Sequence, residues 1–183
     1  MIEREPSGHA TSGHATSGHE SADDAQAALR TWLRLLACTS LVEREVRARL
    51  REHFDTTLPR FDVLAQLDAA ARSGADEPAV GALTMSELSE RLMVTNGNLT
   101  GLIARLVRER LVSRAASPTD RRVQRVRLTA SGKRALDAMT PVHQRWIGAL
   151  FGGLSPEERA QLDALLGKLK TTLRRMIDDE ELR

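Results

Sequence analysis

The scarcest side chains in this sequence are the aromatic ones and cysteine. Its 183 residues include no tyrosine, two tryptophans and three phenylalanines. Proteins that bind RNA or single-stranded DNA commonly stack the bases on aromatic side chains, so this composition argues against both ligands and favours duplex DNA as a nucleic-acid partner. Cys38 is the single cysteine, so the chain forms no internal disulfide, as expected for a reducing, cytoplasmic compartment.

Long apolar runs are also missing. No stretch of about 18 or more apolar residues occurs, and the first residues lack the apolar segment of a secretory signal, so we expect neither a transmembrane helix nor export. Hydrophobic residues make up 41% and charged residues 28% of the chain, which is typical of a soluble globular protein. No membrane partner is predicted.

The motifs of common enzyme classes are absent as well. The sequence has no Gly-rich phosphate loop, no serine nucleophile elbow and no Cys/His pair at metal-ligand spacing. His53 and His143 are isolated, and no carboxylates are paired in a loop context. The sequence therefore predicts a protein that is not an enzyme and that uses neither a metal nor a cofactor.

Residues 1–20 carry a short repeat that places His9, His14 and His19 five residues apart. Small and polar residues bury too little surface to offset the entropy of ordering, so this segment is predicted to be a disordered tail. The histidines suggest weak metal binding or pH sensing. The alternative is a repeat without a function in a segment that tolerates insertions.

The segment from Thr84 to Arg134 has the pattern of a winged helix-turn-helix. A capping box, Thr84 with Glu87, begins one helix, and a second helix begins at Thr95. The helical spacing in the second helix predicts a buried face formed by Leu99, Leu102, Ile103, Leu106 and Val107. Two short basic strands follow, joined by a hairpin with the Ser-Pro-Thr-Asp sequence of a turn. This module places its second helix in the major groove of duplex DNA.

Charge is concentrated in the same segment. Residues 84–134 contain eleven basic and four acidic side chains, a net charge of +7, whereas the whole chain has a net charge of +2. Most of the excess positive charge therefore lies where a phosphate backbone would bind.

The helices that flank this segment have more apolar surface than a small monomer needs. A first helix is predicted from Ser21 to about Glu52, and a last helix begins at Ser155 with a near-heptad apolar pattern. We therefore expect a mainly α protein with a small two-stranded β-wing and a homodimer formed by its terminal helices. The predicted divisions are a tail (1–20), a dimerisation helix (21–56), a winged helix-turn-helix domain (57–130) and C-terminal dimerisation helices (131–183).

Several polar residues in the predicted second helix of the motif suit base recognition. Asn96 and Asn98 lie in its first turn, and asparagine reads adenine through two hydrogen bonds. Alternatively, Thr95 and the two asparagines only cap the helix. Thr100 and Arg105 follow on the same face, and Arg105 has the alternative of an ion pair within the domain.

The hairpin tip suits the minor groove. A narrow A/T-rich minor groove attracts a guanidinium group, and Arg122 is the candidate for this contact. Asp120 is expected to hold Arg122 in place, although the two residues equally fit an ordinary surface salt bridge. Further contacts to phosphate are predicted for the remaining basic residues nearby: Arg91, Arg121, Arg125 and Lys133.

The order of elements and the motifs resemble the MarR family, the multiple antibiotic resistance regulators. The matching pieces are LPRFDVLAQL, LTMSELSERLMVTNGNLTGLIARLVRERLV and SPTDRRVQRVRLTASGKRAL. The resemblance implies an obligate homodimer that binds a short pseudopalindrome, commonly as a repressor, and that small aromatic acids or thioesters release. Arg110 departs from the pattern, because the family usually has glycine at this position.

The resemblance also implies an effector pocket between the dimerisation and DNA-binding lobes. The candidates for it are Trp32, His53, Arg60 and His143, of which Trp32 would stack on an aromatic ring and Arg60 would pair with a carboxylate. Trp32 fits the dimer core equally well, and Arg60 fits a salt bridge. Cys38 is expected to be a buried small apolar residue. An architectural DNA-binding protein without an effector is the alternative function.

Overall fold

The computed structural model describes residues 17–73, 82–116 and 123–178, with the side chains of 17–22, Asn96 and Asp178 left out. Six helices and three strands lie within these residues. In chain order they are α1 (Ser17–Phe54), α2 (Leu58–Ser73), β1 (Ala82–Thr84), α3 (Met85–Leu92), α4 (Asn96–Arg108), β2 (Val112–Ala116), β3 (Gln124–Leu128), α5 (Ala130–Leu150) and α6 (Pro156–Asp178). The predicted mainly α fold with a helix-turn-helix and a β-wing is confirmed.

The chain divides into two compact units, and the boundary falls inside α1, after Arg44. Helix α1 begins at Ser17, four residues before the predicted start, so residues 17–20 of the predicted tail are helical. The rest of that tail, with His9 and His14, lies outside the described residues. The first unit, as far as it is described, is therefore a single helical segment.

This segment of α1 is largely exposed. Trp32 is 56% exposed, and the neighbouring leucines are exposed to a similar degree. Cys38 is also exposed, so the prediction of a buried cysteine is wrong for this chain. The prediction assigned Cys38 to a protein core, whereas Leu35, Leu36 and Leu41 beside it in α1 are themselves exposed.

The core of the second unit is formed by the end of α1, the helices α2 to α5 and the sheet. The end of α1, the helices α2, α3 and α4 and the sheet each contribute at least one almost completely buried side chain. Burying each such side chain contributes roughly 1.5–3 kcal/mol. These residues include Leu50, Leu64, Leu67, Leu88, Leu99, Ile103, Leu106 and Val126. Helix α5 continues through Pro141 without a break.

The sheet has three antiparallel strands in the order β1-β3-β2, so the predicted two-stranded wing is one strand short. The added strand, β1, pairs Leu83 with Val126 on the free edge of β3. On the other edge, Arg114 pairs with Val126. The sequence did not predict β1, because a strand of three residues is too short to show the alternation of apolar and polar residues that identifies a strand. The pairing also depends on β3, which lies about 40 residues later in the chain.

Helix α4 ends with Arg110 in the left-handed conformation, at φ 60°. The Leu111 N–H donates to the Leu106 carbonyl at 3.0 Å, and the Arg110 N–H donates to the Val107 carbonyl at 2.9 Å. These two bonds form a Schellman motif, in which the left-handed position normally belongs to glycine. Arginine therefore adopts the left-handed conformation at the position where the family pattern usually has glycine.

We predict that Arg110→Gly stabilises the protein by about 1 kcal/mol, because a side chain in the left-handed region is strained and glycine is not. Arg108→Gly is the matched control, since Arg108 is the last helical residue of α4 and glycine there should destabilise the helix. Thermal or urea unfolding measures both. A lower stability for Arg110→Gly would contradict the strain assigned to this position.

Candidate nucleic-acid interface

The first helix of the motif, α3, begins at the predicted capping box, which is confirmed. The Glu87 N–H donates to Thr84 Oγ1 at 3.1 Å, and the Thr84 N–H donates to the Glu87 carboxylate at 2.7 Å. The hydrogen bond from the Thr84 backbone is the main reason why the pKa of Glu87 lies below its ordinary value, and Arg125 and Arg91 lower it further. Glu87 is therefore ionised at neutral pH and stabilises the start of α3.

A tight turn joins α3 to α4. Met93 has φ 54°, and the Val94 N–H donates to the Ser89 carbonyl at 3.1 Å, so α3 also ends in a left-handed residue. Met93 is 82% exposed. Thr95 is the N-cap of α4, but its side chain makes no capping hydrogen bond. The side chain of Thr95 is thus not engaged in the capping role that was the alternative to DNA contact.

Helix α4 has one buried face and one exposed face. Leu99, Ile103 and Leu106 are buried, as predicted from their spacing. Val107 was predicted to be buried with them but is 37% exposed, because it lies at the edge of the buried face. The exposed residues of α4 are Gly97, Asn98, Thr100, Gly101, Ala104, Arg105, Val107 and Arg108.

Three long or polar side chains on the exposed face have no partner in the described part of the chain. Asn98, Arg105 and Arg108 form neither a side-chain hydrogen bond nor an ion pair with residues 17–73, 82–116 or 123–178. The ion pair within the domain that was an alternative for Arg105 is therefore not seen among these residues. The side chain of Asn96 lies outside the description. Donors that face solvent along a helix are available to an external acceptor.

The strands β2 and β3 form the base of the wing. Asp120, Arg121 and Arg122, which were predicted to bind DNA at its tip, lie outside the described residues. Arg114 and Arg127 are exposed on the two strands. They were not among the predicted contacts, although their positive charge in a basic hairpin is visible in the sequence.

Arg125 has an internal role in the sheet. It is half-buried, and its Nη1 donates to the Ala82 carbonyl at 3.3 Å, while its Nε is buried without a hydrogen-bond partner among the described residues. Arg125 therefore holds β1 against β3 beside Glu87. Its contact with phosphate stays a prediction.

Arg91 is exposed on α3 and lines an open cleft of about 450 Å³ together with Glu87, Glu90 and Arg174. Its guanidinium forms no ion pair within 4 Å among the described residues. The contact of Arg91 with phosphate stays a prediction.

Lys133 is already engaged by carboxylates. Its ammonium bonds to Asp137 and lies 3.6 Å from Asp68, a carboxylate that is 7% exposed and that also pairs with Arg72 at 3.1 Å. The hydrogen bond to Asp137 is the main cause of the raised pKa of Lys133. These contacts join α2 to α5, which gives Lys133 a structural role in addition to the predicted contact with phosphate.

The end of α4 is fixed to the start of α5 by Thr129 and Gly132. The Thr129 N–H donates to the Leu111 carbonyl at 3.1 Å, and the Thr129 hydroxyl lies 2.7 Å from the Arg110 carbonyl. The same hydroxyl accepts the Gly132 N–H at 3.0 Å. The Leu-Thr-x-x-Gly sequence therefore encodes the contact that sets where α4 ends relative to α5.

The aromatic residues of the second unit surround two of the predicted effector contacts. His53 and Trp146 have ring centroids 5.3 Å apart, and Phe61 and His143 have centroids 4.5 Å apart. Burial lowers the pKa of His143, so its neutral form is favoured. Trp146 and Phe61 were not predicted as neighbours of the two histidines. The three-residue spacing of His143 and Trp146, which places both on one side of α5, is the signal in the sequence that could have identified Trp146.

The other two predicted effector contacts differ in their surroundings. Arg60 forms a bidentate ion pair with Glu109, in which Nη1 lies 2.9 Å from Oε1, so the salt bridge that was the alternative for Arg60 is present. This pair joins the first turn of α2 to the C-cap of α4. Trp32 belongs to the first unit and is exposed.

Groups of histidine, cysteine and carboxylate residues that suit a metal are not found in the described ranges. No helix in those ranges is long and apolar enough to cross a membrane.

Comparisons with known proteins agree with this geometry. The model of the MarR family matches residues 54–123. The HTH-type transcriptional regulator YkoM of Bacillus subtilis is 36% identical over 88 residues, which cover 48% of this chain and 57% of YkoM. The HTH-type transcriptional repressor YetL of the same organism is 36% identical over 87 residues, or 48% of this chain and 52% of YetL. The matched part of the chain thus spans little more than half the length of these curated relatives.

A solved structure matches a larger share of this chain than the curated relatives do. A mutant MarR from Escherichia coli, complexed with operator DNA, is 30% identical to this chain. The match covers 74% of this chain and 91% of that protein, with a TM-score of 0.63. The likeness therefore extends well beyond the helix-turn-helix segment.

Proposed function

Because the chain belongs to the MarR family, whose members are DNA-binding transcriptional regulators rather than enzymes, we propose that it represses transcription by binding a pseudopalindromic operator as a homodimer. The observation that carries this proposal is the exposed face of α4. There, Asn98, Arg105 and Arg108 face away from the core without partners among the described residues. A helix with such a face fits the major groove of duplex DNA.

The proposed interface has separate parts for sequence and for affinity. Asn98 reads a base edge, assisted by Thr95, Asn96, Thr100 and Arg105 along the same helix. Arg122, held by Asp120, enters the minor groove at the tip of the wing. Phosphate contacts by Arg91, Arg121 and Arg125 set the position of the protein on the duplex without selecting sequence.

The homodimer follows from apolar surface that the single chain leaves uncovered. In the first unit, α1 exposes Leu29, Trp32, Leu33, Leu35, Leu36 and Leu41. In the second unit, α6 exposes Leu165, Leu166, Leu169, Leu173 and Ile177. Exposed apolar residues in such numbers are typical of a protein–protein interface. A dimer with twofold symmetry presents two α4 helices to two half-sites.

Release by a small effector completes the proposal. We propose an aromatic acid or thioester that binds in the second unit near His53, Arg60 and His143. Trp146 lies beside His53 and Phe61 lies beside His143, which supports an aromatic ligand. A carboxylate of the ligand would replace Glu109 as the partner of the Arg60 guanidinium. Such a regulator acts in the cytoplasm, where the DNA is.

Two substitutions test the two parts of the interface. The probe is the duplex that the protein enriches from a randomised library of duplex DNA. Asn98→Ala should relax discrimination at one base position, which is worth about 1–3 kcal/mol. Arg122→Ala should weaken binding to all sequences and reduce the salt slope by about one unit.

Exposed residues outside the proposed interface serve as controls. Gln161→Ala on α6 is the control for Asn98→Ala, because it also removes an exposed amide. Arg145→Ala on α5 is the control for Arg122→Ala, because it also removes an arginine. Both controls should bind as the parent does. If Asn98→Ala and Arg122→Ala also bind as the parent does, the proposed placement of DNA on α4 and the wing is wrong. Binding that an excess of unrelated duplex abolishes would instead indicate an architectural DNA-binding protein.

A further inference from the structure

Helix α4 contains two glycines that the fold does not require. Gly97 and Gly101 lie one turn apart, and both are exposed. A Cβ atom built on either residue would meet nothing within 4 Å among the described residues, and neither has the positive φ that favours glycine. Glycine is the least favourable helix residue after proline. The chain thus keeps two unfavourable residues in α4 without an internal reason.

The positions of these glycines on the helix are informative. At 100° per residue, Gly97 and Gly101 lie opposite the buried Leu99, Ile103 and Leu106. Ala104 continues the same line toward Arg108. The line of α4 that faces most directly away from the core therefore has the smallest side chains, while Asn98 and Arg105 lie along one side of it.

We propose that Gly97 and Gly101 are positioning residues, which let the backbone of α4 lie closer to the base edges than a side chain would permit. The inference rests on the proposed function and deepens it. A helix with its side chains is about 10–12 Å across and the major groove is about 12 Å wide, so side chains on the leading line limit how deeply the helix enters. The short amide of Asn98 reaches a base edge only from a backbone that lies close to it.

Two observations independent of the glycines support the proposed contact with DNA. Asn98, Arg105 and Arg108 beside the glycines are exposed and have no partner within the described chain. The 30% identical MarR of Escherichia coli has been solved with operator DNA. The glycines indicate how deeply α4 enters the major groove, which neither of these two observations does.

The test increases side-chain volume at Gly101 in steps, with Gly101→Ala and Gly101→Leu. Both residues are strong helix formers, so the melting temperature should stay equal to that of the parent or rise. Affinity for the library-selected duplex should fall about tenfold for alanine, the loss of one bidentate base contact, and about 100-fold or more for leucine. Affinity for a scrambled duplex of the same composition should change by less than about twofold, since phosphate contacts carry it.

Gly167 on α6 provides the matched control. It is exposed, a Cβ atom there would also meet nothing within 4 Å, and it faces away from the apolar residues of α6. Gly167→Ala and Gly167→Leu should therefore leave affinity for both duplexes unchanged. Gly97→Ala repeats the test at a second position on the leading line of α4, with the same expected loss of specific affinity.

Three results would overturn the inference. The first is a Gly101→Leu protein that binds the selected duplex within about twofold of the parent. The second is an equal loss of affinity for both duplexes together with a lower melting temperature, which would mark a folding defect. The third is a parent protein that does not discriminate the selected from the scrambled duplex. This third result would also contradict the proposed function. It is distinguished from the first two because it is measured with the parent protein alone.

Discussion

Alanine in place of Gly132 should destabilise the protein by about 3 kcal/mol, an overpacking effect at the upper end of the usual range. A Cβ atom at this position would lie against the Leu111 carbonyl oxygen, far inside van der Waals contact, and 2.9 Å from Leu128 Cδ1. The obstacle is backbone, which cannot move aside as a flexible side chain can. The Leu111 carbonyl also accepts the Thr129 N–H, so moving it breaks the contact between α4 and α5.

Thermal unfolding measures this effect as a fall of roughly 6–12 °C in melting temperature for a protein of this size. Gly148→Ala in α5 is the matched control, because a Cβ atom there would meet nothing within 4 Å. That variant should melt at or above the temperature of the parent. A Gly132→Ala protein as stable as Gly148→Ala would show that α5 does not begin in the close contact described above.

The second large effect is expected from Leu169→Glu in α6, which should turn the proposed dimer into a monomer. Leu169 is 43% exposed in the single chain, so the fold of the monomer should tolerate the charge. In a dimer interface the same carboxylate would be buried without a partner, at a cost of several kcal/mol. Losing the link between two half-sites should weaken binding to the selected duplex about 100-fold or more.

Thr171→Glu is the control for this prediction, since it adds the same charge on the opposite side of α6. Sedimentation equilibrium gives the molecular mass of both variants, and circular dichroism reports whether they are folded. A folded Leu169→Glu protein that remains dimeric would exclude the exposed apolar residues of α6 from the interface. Loss of the dimer in both variants would show that a charge on either side of α6 disrupts the dimer, which would contradict an interface restricted to the apolar side.

Local signals in the sequence predicted the central module well. The side chains of Thr84 and Glu87 specify a helix start by themselves, because both hydrogen bonds of the capping box join residues three positions apart. The spacing of Leu99, Ile103 and Leu106 predicted the buried face of α4 for a similar reason. In each case, neighbours in sequence determine the structure.

The features that the sequence did not predict depend on distant partners. Strand β1 exists because β3 offers it a free edge, and its three residues carry no pattern of their own. A salt bridge was one of the two alternatives for Arg60, but its partner, Glu109, lies 49 residues away and was not predicted. Lys133 was predicted from its charge to bind phosphate, but burial of Asp68 and the position of Asp137 decide its contacts.

Arg110, which replaces the glycine of the family pattern, depends on both sequence neighbours and distant contacts. The sequence showed only that arginine stands where the family pattern has glycine, the residue that suits a left-handed helix end. The structure keeps the left-handed conformation, because both Schellman hydrogen bonds and the Thr129 contact fix the backbone there. A local preference against this conformation is overcome by packing around it.

The most direct test of the proposed function is selection of duplex DNA from a randomised library by the parent protein, followed by sequencing of the bound fraction. We predict enrichment of one motif with two half-sites related by a dyad and with centres about 10 base pairs apart, one helical turn, as two α4 helices of a dimer require. The enriched duplex should withstand competition by unrelated DNA. Recovery of the library without an enriched motif would contradict the assignment of this chain as a sequence-specific regulator.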